Sequence, residues 1–232
     1  MEAGGEGGGG EKEVGGDESQ RRLDIRNVGD MSGLFNAISS APSSAWVDYT
    51  GNNIITNGDV VEVALGTYQC NESGTNCASG SIMLYPNNLH GIIECTNDSA
   101  DCIIDGESSR RVIYVEGSGS GLLTIRALTF LNGQHIYGGG AFIDFGAKVD
   151  FILCLFQNCR ATGTCNTCGG GAIYIGSIGE IVTINIYATR FTGNTADSEA
   201  GNDIRYYGKV IIHDECPEPY KQNYPTEGKA RK

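Results

Sequence analysis

One short phrase occurs three times in this chain, and it restricts the fold more than any other feature of the sequence. Its first half is a Phe followed closely by Asn, and its second half is a Gly-rich turn followed by apolar residues. The first halves are Leu128–Asn132, Cys154–Asn158 and Thr189–Asn194, and the second halves are Gly138–Ile143, Gly169–Tyr174 and Ala200–Ile204. The Phe residues at 130, 156 and 191 are 26 and 35 residues apart. This period is typical of a solenoid, in which each repeat is one coil.

Apolar and polar residues alternate in the segment before each Phe. The apolar positions are Leu123, Val149 and Ile184, and two residues later Ile125, Phe151 and Ile186; between them lie Thr124, Asp150 and Asn185. A period of two indicates β-strands with one inward and one outward face. We expect equivalent inward residues to form columns, because one coil cannot bury its apolar face alone.

The repeats predict an all-β fold, a parallel β-helix (solenoid) of about six coils over residues 58–213. Gly and Asn are expected at the corners, because both tolerate left-handed backbone conformations. Asn132, Asn158 and Asn194 each follow the Phe of their repeat. We expect their side-chain amides to stack as a ladder along the solenoid.

The segments outside the repeats have a different composition. Residues 1–22 are rich in Gly and Glu and are expected to be a disordered tail, and residues 23–57 are expected to form an N-terminal cap with a short helix at Met31–Ser40. Residues 214–232 are expected to be a loose tail, so the far end of the solenoid needs a partner or missing sequence to cover it. No signal peptide or membrane-spanning apolar run is visible. This argues against secretion, unless the chain is a fragment or its gene start is wrong.

These coils resemble a known family of folds. Gly58-Asp59, the strand after it, Gly66-Thr67-Tyr68 and the later Ile103-Ile104-Asp105-Gly106 are similar to the first coils of right-handed parallel β-helix proteins of the pectin-lyase-like superfamily. The threefold phrase resembles the F-x-N and G-G-A-I repeats of chlamydial polymorphic outer-membrane proteins. The resemblance covers about Ser32 to Ile212. It implies a right-handed β-helix and no particular activity.

The nine cysteines include three pairs at short spacing. The pairs are Cys70 with Cys77, Cys95 with Cys102, and Cys165 with Cys168. The first two pairs bracket polar loops that contain the glycosylation triplets beginning at Asn71 and Asn97. This combination is typical of an oxidising compartment, so we expect disulfides, glycosylation and an extracellular or cell-surface location. The alternative is that the triplets arise by chance and the thiols are free and buried.

The third pair forms a C-x-x-C motif without a βα unit or a second Cys/His cluster. We therefore predict neither a redox centre nor a zinc site there, and no metal or cofactor elsewhere. The motif is expected to close its own loop, or else to pair with Cys154 or Cys159. The odd number of cysteines leaves Cys216 as the expected unpaired thiol.

The net charge of −12 argues against a nucleic-acid partner, since such proteins gain affinity from basic surface. The three His residues, His90, His135 and His213, are scattered and are expected in loops or at the surface. The run Gly117–Gly121 lacks a following helix signal and is expected to be a corner loop.

An enzymatic alternative rests on Val149–Ile152, which is similar to the V-D-F-I-F-G strand of pectin methylesterases. That resemblance implies Asp150 as nucleophile, with Arg126 one coil away as its partner. The remaining motifs of those esterases are missing, and Asp150 also fits the repeat as an outward residue. The alternative is therefore a carbohydrate-active enzyme, an esterase or lyase acting on uronate polymers.

The sequence favours a non-catalytic recognition or adhesion module. A β-helix offers a long rigid face and variable loops, which suit binding of a polysaccharide or another surface protein. The loops at residues 133–137 and 160–168 follow equivalent Asn corners and differ in length. Binding usually lies in loops that vary on a fixed scaffold, but the sequence identifies no binding residues.

Overall fold

The computed structural model describes residues 22–25, 60–70, 82–86, 91–117, 121–176, 182–198, 201–207 and 209–213. The predicted capping helix, Asn71, Cys77, His90 and Cys216 lie outside these ranges. Within them every regular element is a β-strand and every strand pair is parallel, which confirms the all-β prediction.

The strands, numbered in chain order, form four parallel sheets. The first sheet contains β1 (Arg22–Ile25), β2 (Val60–Val63), β5 (Gly91–Cys95), β8 (Leu122–Arg126), β12 (Lys148–Ile152), β16 (Thr183–Tyr187) and β20 (Lys209–His213). The second contains β3 (Gly66–Tyr68), β6 (Cys102–Asp105), β9 (Leu128–Leu131), β13 (Leu155–Gln157) and β17 (Arg190–Thr192). The third contains β4 (Ile82–Leu84), β7 (Arg111–Glu116), β11 (Ala141–Asp144), β15 (Ile173–Ile175) and β19 (Ile204–Tyr206). The fourth contains β10 (Gln134–His135), β14 (Arg160–Ala161) and β18 (Thr195–Ala196).

The chain visits these sheets in a fixed order. From Val60 to Tyr206 it passes from the first sheet to the second and then to the third, and β5, β8, β12 and β16 each begin a new pass. In the last three passes a strand of the fourth sheet lies between the second and third sheets. Each strand therefore pairs with its equivalents in neighbouring passes, which is a solenoid-like arrangement.

The inward columns predicted from the alternation are present in the predicted register. Leu123, Val149 and Ile184 are paired across β8, β12 and β16, and all three are buried. The same strands align Ile125, Phe151 and Ile186 in a second column. Each such side chain contributes about 1.5–3 kcal/mol when fully buried.

The repeated Phe residues form a third column, in the second sheet. Phe156 lies between Phe130 and Phe191, with ring centroids 4.6 Å and 5.5 Å away and nearly parallel planes. Phe151 of the first sheet meets the edge of this stack, 5.3 Å from Phe156. The first and second sheets thus share one apolar core.

The corners differ from the prediction. Where the first sheet leads into the second, the residues in the left-handed region are Ala127, Leu153 and Ala188, which are neither Gly nor Asn. A left-handed non-Gly residue costs roughly 1–2 kcal/mol. Pairing of the strands on both sides offsets this cost, because it requires the chain to turn at a single residue.

The expected ladder of Asn amides does not extend to Asn194. After the second sheet the left-handed positions are Asn132, Asn158 and Gly193, so Asn194 falls one residue beyond the shared position. The buried Asn194 amide instead donates to Phe156 O and accepts from the backbone N–H of Cys159. Asn132 donates to the Asp105 carboxylate. The Asn194 amide therefore satisfies local backbone groups and lies outside the column of shared corner positions.

The Phe column gives a direct test of coil stacking. Phe156→Ala removes a fully buried ring from the middle of the stack, and we expect it to lower the free energy of unfolding by about 3–5 kcal/mol. Leu155→Ala, in the same strand but partly exposed, should cost about 1 kcal/mol or less. Chemical denaturation of both variants measures the difference, and equal losses would contradict this packing.

Candidate binding face

The outward side of the third sheet carries a column of aromatic residues that sequence analysis did not identify. Tyr114 in β7, Phe142 in β11 and Tyr174 in β15 are paired residue by residue, and Tyr85 follows β4. Successive ring centroids along Tyr85, Tyr114, Phe142 and Tyr174 are 5.0, 5.1 and 5.1 Å apart. We call these four residues the aromatic column.

Sequence repeats do not show the column, because the Gly-rich turns align one residue differently in the structure than in the sequence repeat. The left-handed glycines of successive turns are Gly138, Gly170 and Gly201, whereas repeat spacing alone aligns Gly139 with Gly170. The shift pairs Phe142 with Tyr174 and not with Ile173. A register change of one residue moves a side chain to the opposite face of a sheet, so the alignment hid the aromatic identity of the outward position.

The rings differ in the surface that they present. Tyr85 and Tyr114 are parallel within 4° and Phe142 is tilted by 28° from Tyr114, so these three rings stack on one another. Tyr174 is perpendicular to Phe142. Tyr85 is 37% exposed, and Tyr207, whose ring is 6.1 Å from Tyr174, is 43% exposed. The largest accessible aromatic surfaces therefore lie near the two ends of the column.

A buried guanidinium supports one side of the column. Arg111 is only 3% exposed, and its carbon Cζ lies 4.8 Å from the centre of the Phe142 ring and 5.6 Å from that of Tyr114. Its Nε donates to Gly138 O at 3.0 Å and its Nη2 donates to Tyr137 O at 2.5 Å. Burial lowers the pKa of Arg111 to about 10, so the group remains charged at neutral pH. Arg111 thus fixes the Gly turn against the rings.

His135 completes this cluster as a neutral acceptor. Its Nδ1 lies 2.5 Å from Arg111 Nη2 and 3.5 Å from the backbone N–H of Tyr137. Both neighbours donate, so Nδ1 is the unprotonated nitrogen. Burial, followed by the charge of Arg111, lowers the pKa of His135 to about 4. The residue is therefore partly buried and structural, which differs from the surface position expected from sequence.

Carboxylates line the other side of the column. Glu116 and Asp144 are paired across β7 and β11, two residues beyond Tyr114 and Phe142, and Tyr85 donates its hydroxyl to Glu116. Burial and these two carboxylates raise the pKa of Tyr114 to about 12. Burial also raises the pKa of Tyr174. Both phenols therefore remain protonated and able to donate hydrogen bonds at physiological pH.

The two loops of unequal length noted in the sequence lie beside this face. Tyr137, at the end of the loop 133–137, has its ring centroid 5.1 Å from that of Tyr174. In the loop 160–168, Cys165 Sγ lies 3.9 Å from the Tyr137 hydroxyl, and Asn166 O accepts from Arg205. The Cys165–Cys168 disulfide closes this second loop. Both loops therefore contact residues of the face, whereas its aromatic centre had no signal in the sequence repeats.

The remaining cysteines are in two chemical states. A disulfide joins Cys95 and Cys102 as predicted, and Cys70 is also disulfide-bonded. Cys154 and Cys159 are free and buried, and burial raises the pKa of each thiol to about 12. The C-x-x-C motif therefore pairs internally and not with either of them. The two described disulfides are consistent with an oxidising compartment.

The residues of the enzymatic alternative have separate partners. Asp150 accepts a hydrogen bond of 2.7 Å from Asn185 in the next coil, and Arg126 forms ion pairs with Glu94 and Asp98. Burial raises the pKa of Asp150, and Asn185 and His213 oppose the rise. In the part of the chain that is described, no ion pair joins Asp150 to Arg126.

No group of three or more His, Cys, Asp or Glu side chains in the described ranges is placed to hold a metal ion. Likewise, the described segments include no helix with the length and apolarity to span a membrane.

Comparison with known proteins does not assign this chain to a family. No family model, no curated protein and no solved structure matches this chain. The functional interpretation therefore rests on the chemistry of the aromatic column and its surroundings.

The lowered pKa of His135 predicts a pH-dependent stability. Between pH 6.5 and 4 the unfolded chain binds a proton at this residue and the folded chain does not, so stability decreases as the pH falls through this window. We expect His135→Gln, whose amide oxygen still accepts from Arg111, to remove about 1–3 kcal/mol of that decrease. Urea denaturation at pH 7 and pH 4.5 measures it. The same pH dependence in both proteins would contradict the assignment.

Proposed function

We propose that this chain is a non-catalytic recognition module, built as a right-handed parallel β-helix of about six coils, whose third-sheet face binds a polysaccharide. The observation that carries the proposal is the aromatic column, with rings 5.0–5.1 Å apart and polar groups on both sides. Parallel strands joined by crossovers in one sheet are right-handed in about 98% of cases, which supports the handedness. The sequence resemblance to pectin-lyase-like and polymorphic outer-membrane repeat proteins agrees with it.

The chemistry of the face suits a sugar polymer. A sugar ring has apolar C–H groups that pack on aromatic surface and hydroxyls that need hydrogen-bond partners. Tyr85 and Tyr207 supply accessible ring surface, and the phenol hydroxyls and Glu116 supply donors and acceptors. The sheet holds these groups at a fixed repeat, so little conformational entropy is lost on binding an extended chain.

The proposed location is extracellular or at the cell surface. The Cys95–Cys102 and Cys165–Cys168 disulfides support it, because disulfides persist in oxidising compartments. A protein ligand is the competing outcome for the same face. Binding assays with polysaccharides and with candidate surface proteins separate the two.

One observation favours a second candidate function, that of a carbohydrate-active enzyme. The carboxyl group of Asp150 is partly buried and its pKa is raised, which is a property shared by many catalytic acids. Its partner is an amide, and a nucleophile without a nearby base or cation is weak. We therefore place this candidate second.

Exposed rings at the two ends of the face allow a test with little risk to folding. We expect Tyr85→Ala and Tyr207→Ala each to weaken binding on an array of neutral and acidic polysaccharides by about three- to tenfold, since an aromatic contact contributes about 0.5–1.5 kcal/mol. Leu65→Ala is the matched control, because Leu65 is 55% exposed and lies between the first and second sheets.

Parallel assays for ester hydrolysis and lyase activity on uronate polymers address the second candidate. Turnover that is lost in Asp150→Asn would replace the binding proposal with the enzymatic one. Binding that is unchanged in both Tyr variants would exclude the third-sheet face as the polysaccharide site.

A further inference from the structure

The short loop between β5 and β6 combines features that the proposed binding face does not explain. Residues 96–101 lie between Cys95 and Cys102, which a disulfide joins. Within this loop Asn97-Asp98-Ser99 is an acceptor triplet for N-linked glycosylation. The loop joins the first sheet to the second and does not border the third sheet.

The side chain of Asn97 is oriented by its own triplet. Its Oδ1 accepts from the backbone N–H of Ser99 at 3.1 Å, and the Ser99 hydroxyl oxygen lies 2.5 Å from the same atom. The amide oxygen is thereby fixed toward the backbone. Among the described residues nothing hydrogen-bonds to Asn97 Nδ2, and the side chain is partly exposed. The nitrogen that would carry a sugar is therefore not hydrogen-bonded to any described residue.

Asp98 and Ser99 are compatible with a substituent at this position. Asp98 forms an ion pair with Arg126 of the neighbouring strand β8. The Ser99 hydroxyl also lies 2.5 Å from Asp101 Oδ2, and donates its one proton to either oxygen. The loop thus keeps its own hydrogen bonds whether or not Asn97 Nδ2 is substituted.

We propose that Asn97 carries an N-linked oligosaccharide. In the transfer, Nδ2 forms a bond to the anomeric carbon of a glycosyl donor activated as a phosphate ester, and the bond from that carbon to the phosphate oxygen breaks. The phosphate leaves with the bonding electrons, and the proton lost from Nδ2 passes to solvent. This inference rests on the proposed passage through a secretory compartment, and it is independent of polysaccharide binding. The glycan would project from the junction of the first and second sheets and leave the aromatic column uncovered.

The experiment uses the full chain, directed into the secretory pathway of a eukaryotic host by an added leader. Mass spectrometry is applied to both the secreted and the cell-retained protein, so retention does not hide the result. We expect a peptide containing Asn97 with added hexose and N-acetylhexosamine mass. A peptide-N-glycosidase should remove this mass and convert Asn97 to Asp.

Four variants separate the acceptor from its surroundings. Asn97→Gln and Ser99→Ala should each abolish the modification at this site, whereas Ser99→Thr, which keeps the hydroxyl, should retain it. Asn71→Gln should leave the peptide containing Asn97 modified. An intact Cys95–Cys102 disulfide in each variant, seen by non-reducing peptide mapping, shows that the loop has formed.

The outcomes are distinct from those of the binding proposal. Unmodified Asn97 in protein that has the Cys95–Cys102 disulfide and has entered the secretory pathway would overturn this inference and leave the binding face untouched. Glycosylated protein that binds no polysaccharide would support this inference and contradict the binding proposal. Asn97→Gln is expected to bind polysaccharide within twofold of the wild-type affinity.

Discussion

The structure depends on one constraint, the in-register pairing of each strand with its equivalent in the neighbouring coils. Pairing of β8, β12 and β16 brings Leu123, Val149 and Ile184 into one buried column and leaves Thr124, Asp150 and Asn185 on the other face. No coil can bury its apolar residues without the coils above and below it. Backbone hydrogen bonds and apolar burial therefore act along the same axis, and each coil is stabilised chiefly by its neighbours.

This constraint explains why some features were predictable from sequence and others were not. Strict alternation before Phe130, Phe156 and Phe191 fixes which residues point inward, so those columns follow from the sequence. The conformation of the corners does not follow from the sequence, because Ala127 and Leu153 have no intrinsic preference for the left-handed region. They adopt it because the paired strands on either side determine where the chain must turn.

The aromatic column follows from the same register but is concealed by the turns. The run of three glycines lies one residue earlier relative to the strand pairing in one turn than in the other, which shifts the apparent alignment. Only strand pairing shows that Tyr114, Phe142 and Tyr174 share an outward column. Arg111 was equally hidden, since a buried guanidinium held by backbone carbonyls has no local sequence signal. The scaffold thus places outward side chains at a spacing set by strand pairing and not by sequence distance.

The register of the first sheet can be measured by cross-linking. Thr124 and Asp150 are directly paired in β8 and β12, so cysteines at these positions should have Cα atoms about 4.8 Å apart, within disulfide range. We predict that Thr124→Cys/Asp150→Cys forms a disulfide under mild oxidation, identified by peptide mapping. The matched pair Thr124→Cys/Lys148→Cys, displaced by two residues along β12, should remain reduced. Cross-linking of the displaced pair in preference to the direct pair would contradict the stacking on which the whole account depends.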